Sequence, residues 1–199
     1  MTDARGTSRS DHAPVGLRWS WLERRVGEDA DAARGGADRR LVVNLMNDVL
    51  ATQIVCMLRY RRHHFMAYGS GAEAVAAAFL SFAIVEQAHA DEIARRIVQL
   101  GGKPELDPRN LADRSCSEYV ECETLDEMIF ENLVASRAAI GSYEGLAARI
   151  GSSDPVSTAL LASILAKLEA QAQSLSAIPR APPILDARIA QLRADHHGA

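Results

Sequence analysis

Aromatic residues are scarce in this 199-residue chain, at 5%, and strand signals are scarcer. No run of alternating Val, Ile, Thr or Tyr is bounded by turn residues, which argues against a sheet-based fold. Cysteine occurs three times, at Cys56, Cys116 and Cys122, an odd number without the spacing of a disulfide framework. No stretch reads as the roughly 18 to 20 apolar residues that span a bilayer. The first residues are polar and charged and lack the apolar core of a signal peptide. These absences read as a cytoplasmic protein without a membrane partner. Excess positive charge is missing too: the net charge is −4, so no nucleic-acid partner is expected. The one basic cluster, Arg59-Tyr60-Arg61-Arg62-His63-His64, spreads around a helix circumference and reads as a solvated surface.

What the chain has in quantity is Ala, Leu, Arg and Glu, residues that lose little on entering a helix. Four long helical patterns follow one another. The first runs from about Asp38 to Tyr68, with Leu41, Leu45, Val49, Thr52, Cys56 and Tyr60 stepping by three and four, and it stops at Gly69-Ser70-Gly71. The second runs from about Ala72 to Leu100, with Val75, Phe79, Phe82, Glu86, His89, Ile93 and Ile97 on one stripe. Gly101-Gly102-Lys103-Pro104 terminates it. A connection of about twenty residues, 101 to 122, follows; it is long for a compact domain and fits a crossover along a bundle. The third pattern starts near Thr124 with Asp126 and Glu127 in its first turn, where acidic groups suit the helix dipole. It passes Ile129, Leu133, Ile140, Tyr143 and Leu146 to Gly151. The fourth opens at Asp154-Pro155, an N-cap followed by Pro at the first helical position, and ends near Ile178.

The expected organisation is therefore an N-terminal arm (1–37), a four-helix bundle (38–178) and a C-terminal tail (179–199). The arm is rich in Asp, Arg, Gly, Ala and Ser. It nevertheless carries both tryptophans, Trp19 and Trp21, either in a short amphipathic helix docked on the bundle or as a contact with a neighbouring subunit or partner. In the tail, a Pro-rich break at 180–183 precedes a short amphipathic helix over roughly 184–194. The terminal pair His196 and His197 reads as solvated. Cys56 falls inside a helical pattern as a small buried residue. Cys116 and Cys122, six apart, leave a redox or metal role open.

Glu86 and His89 lie three apart, hence one turn apart on the apolar stripe of the second helix. An inward-facing charge needs a partner or a metal. In di-iron carboxylate bundles two helices each give a Glu and two each give a Glu-x-x-His pair; a hydrogen-bonded Glu–His pair in the core is the other reading.

At this point a resemblance is visible. Asn47-Asp48-Val49-Leu50-Ala51-Thr52-Gln53-Ile54-Val55, with Tyr60 after it, resembles the first helix of the bacterioferritins and bacterioferritin-like members of the ferritin-like superfamily. Glu86-Gln87-Ala88-His89-Ala90-Asp91, then Ile97-Val98-Gln99-Leu100-Gly101-Gly102-Lys103-Pro104, resembles their second helix and its cap. Asn132-Leu133-Val134-Ala135-Ser136-Arg137 and Ile164-Leu165-Ala166 resemble parts of the third and fourth. The resemblance spans about residues 40 to 178 and implies an all-α ferritin-like four-helix bundle with a long crossover between helices two and three. It further implies iron binding, ferroxidase activity and often a 24-subunit shell.

Carried over residue by residue, the ligand set is broken. The first-helix glutamate corresponds to Gln53, and the second-helix pair is kept as Glu86 and His89. The third-helix bridging glutamate falls on Ser136, and the fourth-helix Glu-x-x-His on Leu168 and Gln171. No histidine lies between His89 and His196, so the second Glu-x-x-His is absent in any register. A shift of register would bring Glu131 or Glu169 inward as substitute ligands. The haem-bridging methionine is Gln87 here, so no haem is expected, and Met57 and Met66 read as core fillers. Two functions follow. One is a subunit with a largely lost di-iron site, structural or co-assembled with a ferritin-like paralogue or a larger complex. The other is an iron-binding protein for storage or ferrous oxidation, with metal at Glu86 and His89. Both imply an oligomer.

Overall fold

The structure is a computed structural model that describes residues 36–69 and 71–178. The arm with Trp19 and Trp21 and the 184–194 tail helix lie outside the described residues. Within them the chain is all-helical: α1 (Gly36–Met66), α2 (Ala72–Gln99), α3 (Pro108–Arg114), α4 (Leu125–Ile150) and α5 (Pro155–Ser176), with a 3₁₀ turn at Gly151–Ser153. α1 packs along α2 and α4 along α5, giving two hairpins that face each other. This is the ferritin-like bundle expected from the helical pattern.

The ends follow local chemistry. Thr124 and Glu127 form a reciprocal capping box at the start of α4. Asp154 accepts from the Ser157 amide at the start of α5. Gly101 adopts φ 77° after α2, and the Gly102 amide returns to the Ile97 carbonyl at 2.9 Å, closing the last turn around a left-handed residue. Gly102 serves packing instead: a Cβ there would stand 2.5 Å from Val43 Cγ1 on α1.

The crossover is more structured than its composition suggests, because α3 forms inside it. Asp107 caps α3 by accepting from the Arg109 amide. Arg114 reaches back to α1, pairing with buried Asp48 at 2.9 Å and donating to the Asn44 carbonyl. Asn47 fixes the start of the crossover, donating to the Lys103 carbonyl and accepting from the Glu105 amide at 2.7 Å.

Three sequence expectations are corrected. α1 from Arg39 to Met66 is, by length and composition, apolar enough to cross a membrane, but two thirds of its apolar window is buried in the bundle; it is apolar because it is the core helix. The basic cluster is not a solvated face: Arg59, Tyr60 and His63 are buried, since the crossover lies over that side of α1. Met57 packs on the core, whereas Met66, at the helix end, is exposed.

Along the bundle axis the interior has two apolar clusters. One contains Val49, Leu50, Ala90, Ile93, Ala139, Tyr143, Ile164 and Leu168. The other contains Cys56, Tyr60, Phe79, Ala83, Met128, Leu133 and Leu175. The boundary falls at the same level on all four long helices, and buried polar side chains occupy it: Gln53, Glu86, His89, Ser136 and Gln171.

Candidate functional site in the bundle centre

This polar layer is where the sequence places its candidate ligands. α1 supplies Gln53, α2 supplies Glu86 and His89 one turn apart, α4 supplies Ser136, and α5 supplies Gln171 with Leu168 one turn before it; all are buried. The two substitute acids are not brought in with them. Glu169 follows Leu168 on the exposed face of α5, and Glu131 is half-buried on α4.

Hydrogen bonds set the orientation of the layer. Tyr143 on α4 donates its hydroxyl to the Val49 carbonyl at 3.4 Å and accepts from Gln53 Nε2 at 2.9 Å. That leaves Gln53 Oε1 toward His89 Nδ1, 3.3 Å away. An amide oxygen only accepts, so His89 carries its proton on Nδ1. Glu86 Oε2 lies 3.6 Å from the same nitrogen. On the other side Ser136 donates to the Asn132 carbonyl at 2.9 Å, so the Tyr60 hydroxyl donates to Ser136 Oγ at 3.2 Å. Burial raises the Tyr143 hydroxyl well above its ordinary range, and Tyr60 is raised by burial and then by the nearby Glu86. Both stay neutral donors.

Three side chains in the layer have atoms without a hydrogen bond: Glu86 at both oxygens, His89 at Nε2, and Gln171 at both amide atoms. Buried polar atoms of this kind are uncommon and call for an ion, a water or another group between them. Among the described residues no three His, Cys, Asp or Glu side chains converge on one point that could hold a metal ion.

Beside the layer stands a network that the sequence does not reveal. Arg59 is fully buried. It donates from Nε to Asn132 Oδ1 at 3.0 Å, and from Nη1 to Ser117 Oγ at 2.8 Å and the Glu118 carbonyl at 2.6 Å. Asn132 Nδ2 then meets His63 Nδ1 at 2.7 Å. Arg59 stands next to stripe residue Tyr60, but its acceptors come from the crossover and α4, so no local spacing marks it. Burial keeps the thiols protonated: it pushes Cys56 up to about 11 against the opposing pull of Arg59, and likewise pushes Cys122 up to about 11. Cys116 packs on the first apolar cluster, where Thr52 donates to it at 3.5 Å, whereas Cys122 sits in the second. All three are free.

Known proteins place this architecture. Residues 43–181 match the model of the ferritin-like domain. The nutrient stress-induced DNA-binding protein of Synechococcus is 30% identical over 138 residues, covering 66% of this chain and 76% of that protein. Among solved structures, Dps from Thermosynechococcus elongatus superimposes with TM-score 0.69 at 20% identity, over 74% of this chain and 96% of that one. The bacterioferritin-related dodecameric thioferritin of Bacteroides fragilis superimposes with TM-score 0.66 at 21% identity, over 89% and 98%. The helical bundle, its single long crossover and the matched domain together make this chain a member of the ferritin-like family.

Proposed function

We propose that this protein is a ferritin-like subunit whose di-iron ferroxidase site is largely lost, and that it works as a structural component. It would act in a homo-oligomer, or co-assembled with a ferritin-like paralogue or a larger complex. One observation carries the reading: Glu86 is the only buried carboxyl in the central polar layer of the described residues, facing Gln53, Ser136, Leu168 and Gln171. Two adjacent ferrous ions repel, and bridging carboxylates offset that repulsion. An amide contributes no charge, a serine hydroxyl is a weak ligand for iron, and leucine contributes nothing. This donor set does not fit two irons. Gln53 and Ser136 are also engaged by the two tyrosines, which supports a polar layer repurposed to hold helices together. Glu131 and Glu169 receive no role. The reading includes neither haem nor nucleic acid; DNA binding belongs to the Synechococcus relative's name, and the net charge of −4 lends it no support here.

A second reading has its own observation. Glu86, His89 Nε2 and Gln171 all have atoms without hydrogen bonds, and these atoms are of the kinds that can ligate one divalent ion. Here the protein would bind iron as a ferritin-like oligomer for storage or ferrous oxidation.

Metal content separates the two. Protein purified without an affinity tag is measured by mass spectrometry before and after anaerobic ferrous loading and desalting. Iron near zero is the expected result. One ion per chain, lost in Glu86→Gln, favours the second reading, and a pair of ions per chain with rapid ferrous oxidation overturns the proposal. Equimolar co-purification with another ferritin-like chain from the native host would identify the co-assembled form.

A further inference from the structure

Cys116 and Cys122 share the crossover, but the fold brings Cys116 to a different thiol. The Cys116 amide donates to Thr52 Oγ1 on α1 at 3.1 Å, and its sulfur lies 3.5 Å from the same oxygen. The next residue, Ser117, accepts from Arg59 Nη1 at 2.8 Å. Thr52 and Arg59 flank Cys56, four residues before it and three after, on one face of α1. Arg59 Nη2 also donates to the Cys56 sulfur at 3.6 Å, and Ser117 hydrogen-bonds the same thiol. Consecutive residues 116 and 117 therefore cross α1 over the turn that carries Cys56. After burial, the charges that act on the Cys56 thiol are Arg59, Glu86 and Cys116. Cys122 has other neighbours: after burial, Glu131 and Glu127 on α4 raise it.

The Cys116 backbone itself touches a side chain as short as Thr52. The crossover and α1 thus approach on the scale that a disulfide spans, about 4.4 to 6.8 Å between Cα atoms. We propose that Cys56 and Cys116 are a latent disulfide pair, which peroxide closes to fasten the crossover onto α1. Cys56 is buried and Cys116 half-buried, so Cys116 reacts first. Its sulfur attacks one oxygen of hydrogen peroxide and the O–O bond breaks. The thiol proton leaves with the second oxygen as water, and Cys116 becomes a sulfenic acid. Cys56, as the thiolate that Arg59 favours, then attacks the Cys116 sulfur. The S–S bond forms, the S–O bond breaks, and the departing hydroxide takes up the Cys56 proton as a second water. The two thiols lose two electrons and the peroxide gains them. Burial raises both thiols, so the step is slow, on the order of hours.

This pairing is independent of what the central layer binds. The test uses the full chain, reduced, kept with a chelator and incubated with hydrogen peroxide, then alkylated and mapped by mass spectrometry without reductant. Cleavage after Tyr119 places Cys116 and Cys122 on separate peptides. A Cys56–Cys116 link is expected, with Cys122 alkylated. The linked protein should melt about 5 °C higher, and reductant should reverse the rise. Cys122→Ser should retain both effects, and Cys116→Ser should lose both while its circular dichroism is retained. In denaturing urea the preference should invert toward Cys116–Cys122, whose loop is the shorter one. A Cys116–Cys122 or intermolecular link in the folded protein, overoxidation of Cys116 without a link, or three alkylated thiols after overnight treatment overturns the proposal. So does a Cys56–Cys116 link that leaves the melting temperature unchanged, because the crossover would then not be fastened by it.

Discussion

Asn132 Oδ1 accepts from Arg59 Nε at 3.0 Å, and this one bond orients the whole amide. A guanidinium only donates, so the oxygen must face Arg59 and Nδ2 must face His63 Nδ1. His63 is thereby held with a bare Nδ1 and a proton on Nε2, next to a buried cation. Burial and then Arg59 lower its pKa from 6.5 to about 4.

This fixes the sign of a pH dependence. Between pH 6.5 and about 4 the unfolded chain binds a proton at His63 that the folded chain does not. Stability from this group is complete above pH 6.5 and is lost as the pH falls toward 4. Urea midpoints should decline over that window, and His63→Asn should flatten the decline. An unchanged slope in the variant would remove His63 as the cause.

Arg59→Met should destabilise the protein by about 2 to 4 kcal/mol, because Asn132, Ser117 and the Glu118 carbonyl lose a buried donor together. Arg59→Lys should restore little, since an ammonium cannot serve three acceptors arranged around a planar fork. Exchange of amides 115–120 should rise in both variants, as Arg59 pins that part of the crossover to α1. Urea denaturation and exchange on the same samples measure the two effects.

Tyr143→Phe removes the acceptor for Gln53 Nε2 and leaves that donor buried, which should cost about 1 to 3 kcal/mol. The double variant Tyr143→Phe with Gln53→Leu should recover only part of the loss, because it removes the stranded Gln53 donor but also takes the Gln53 acceptor from His89 Nδ1. A double-mutant cycle in urea reads the coupling.

Gly102→Ala should be destabilising because its Cβ would meet Val43 Cγ1 at 2.5 Å. Val43→Ala should suppress that loss, since removing the methyls clears the contact. Melting temperatures of the two single variants and the double variant test it; equal losses with and without Val43 would place the cause in the backbone instead.

The sequence by itself determined the helices. Apolar positions at three- and four-residue steps, the Gly101-Gly102 stop, the Thr124 start and Asp154-Pro155 are local signals, and each acts through backbone hydrogen bonds within a few residues. It also determined that Glu86 and His89 face inward, since a stripe assigns a face whatever packs against it. The family's site pattern, read onto Gln53, Ser136, Leu168 and Gln171, named positions that all turn out to be buried at one level or beside it. Only the tertiary structure decided what those groups touch. Tyr143 meets Gln53 across 90 residues and Tyr60 meets Ser136 across 76. Arg59 and His63 looked like surface charge until the crossover and α4 covered them. Local pattern fixes which way a side chain points along its own helix, but burial of a charge depends on acceptors that arrive from elsewhere in the chain, and no spacing within one helix encodes their arrival.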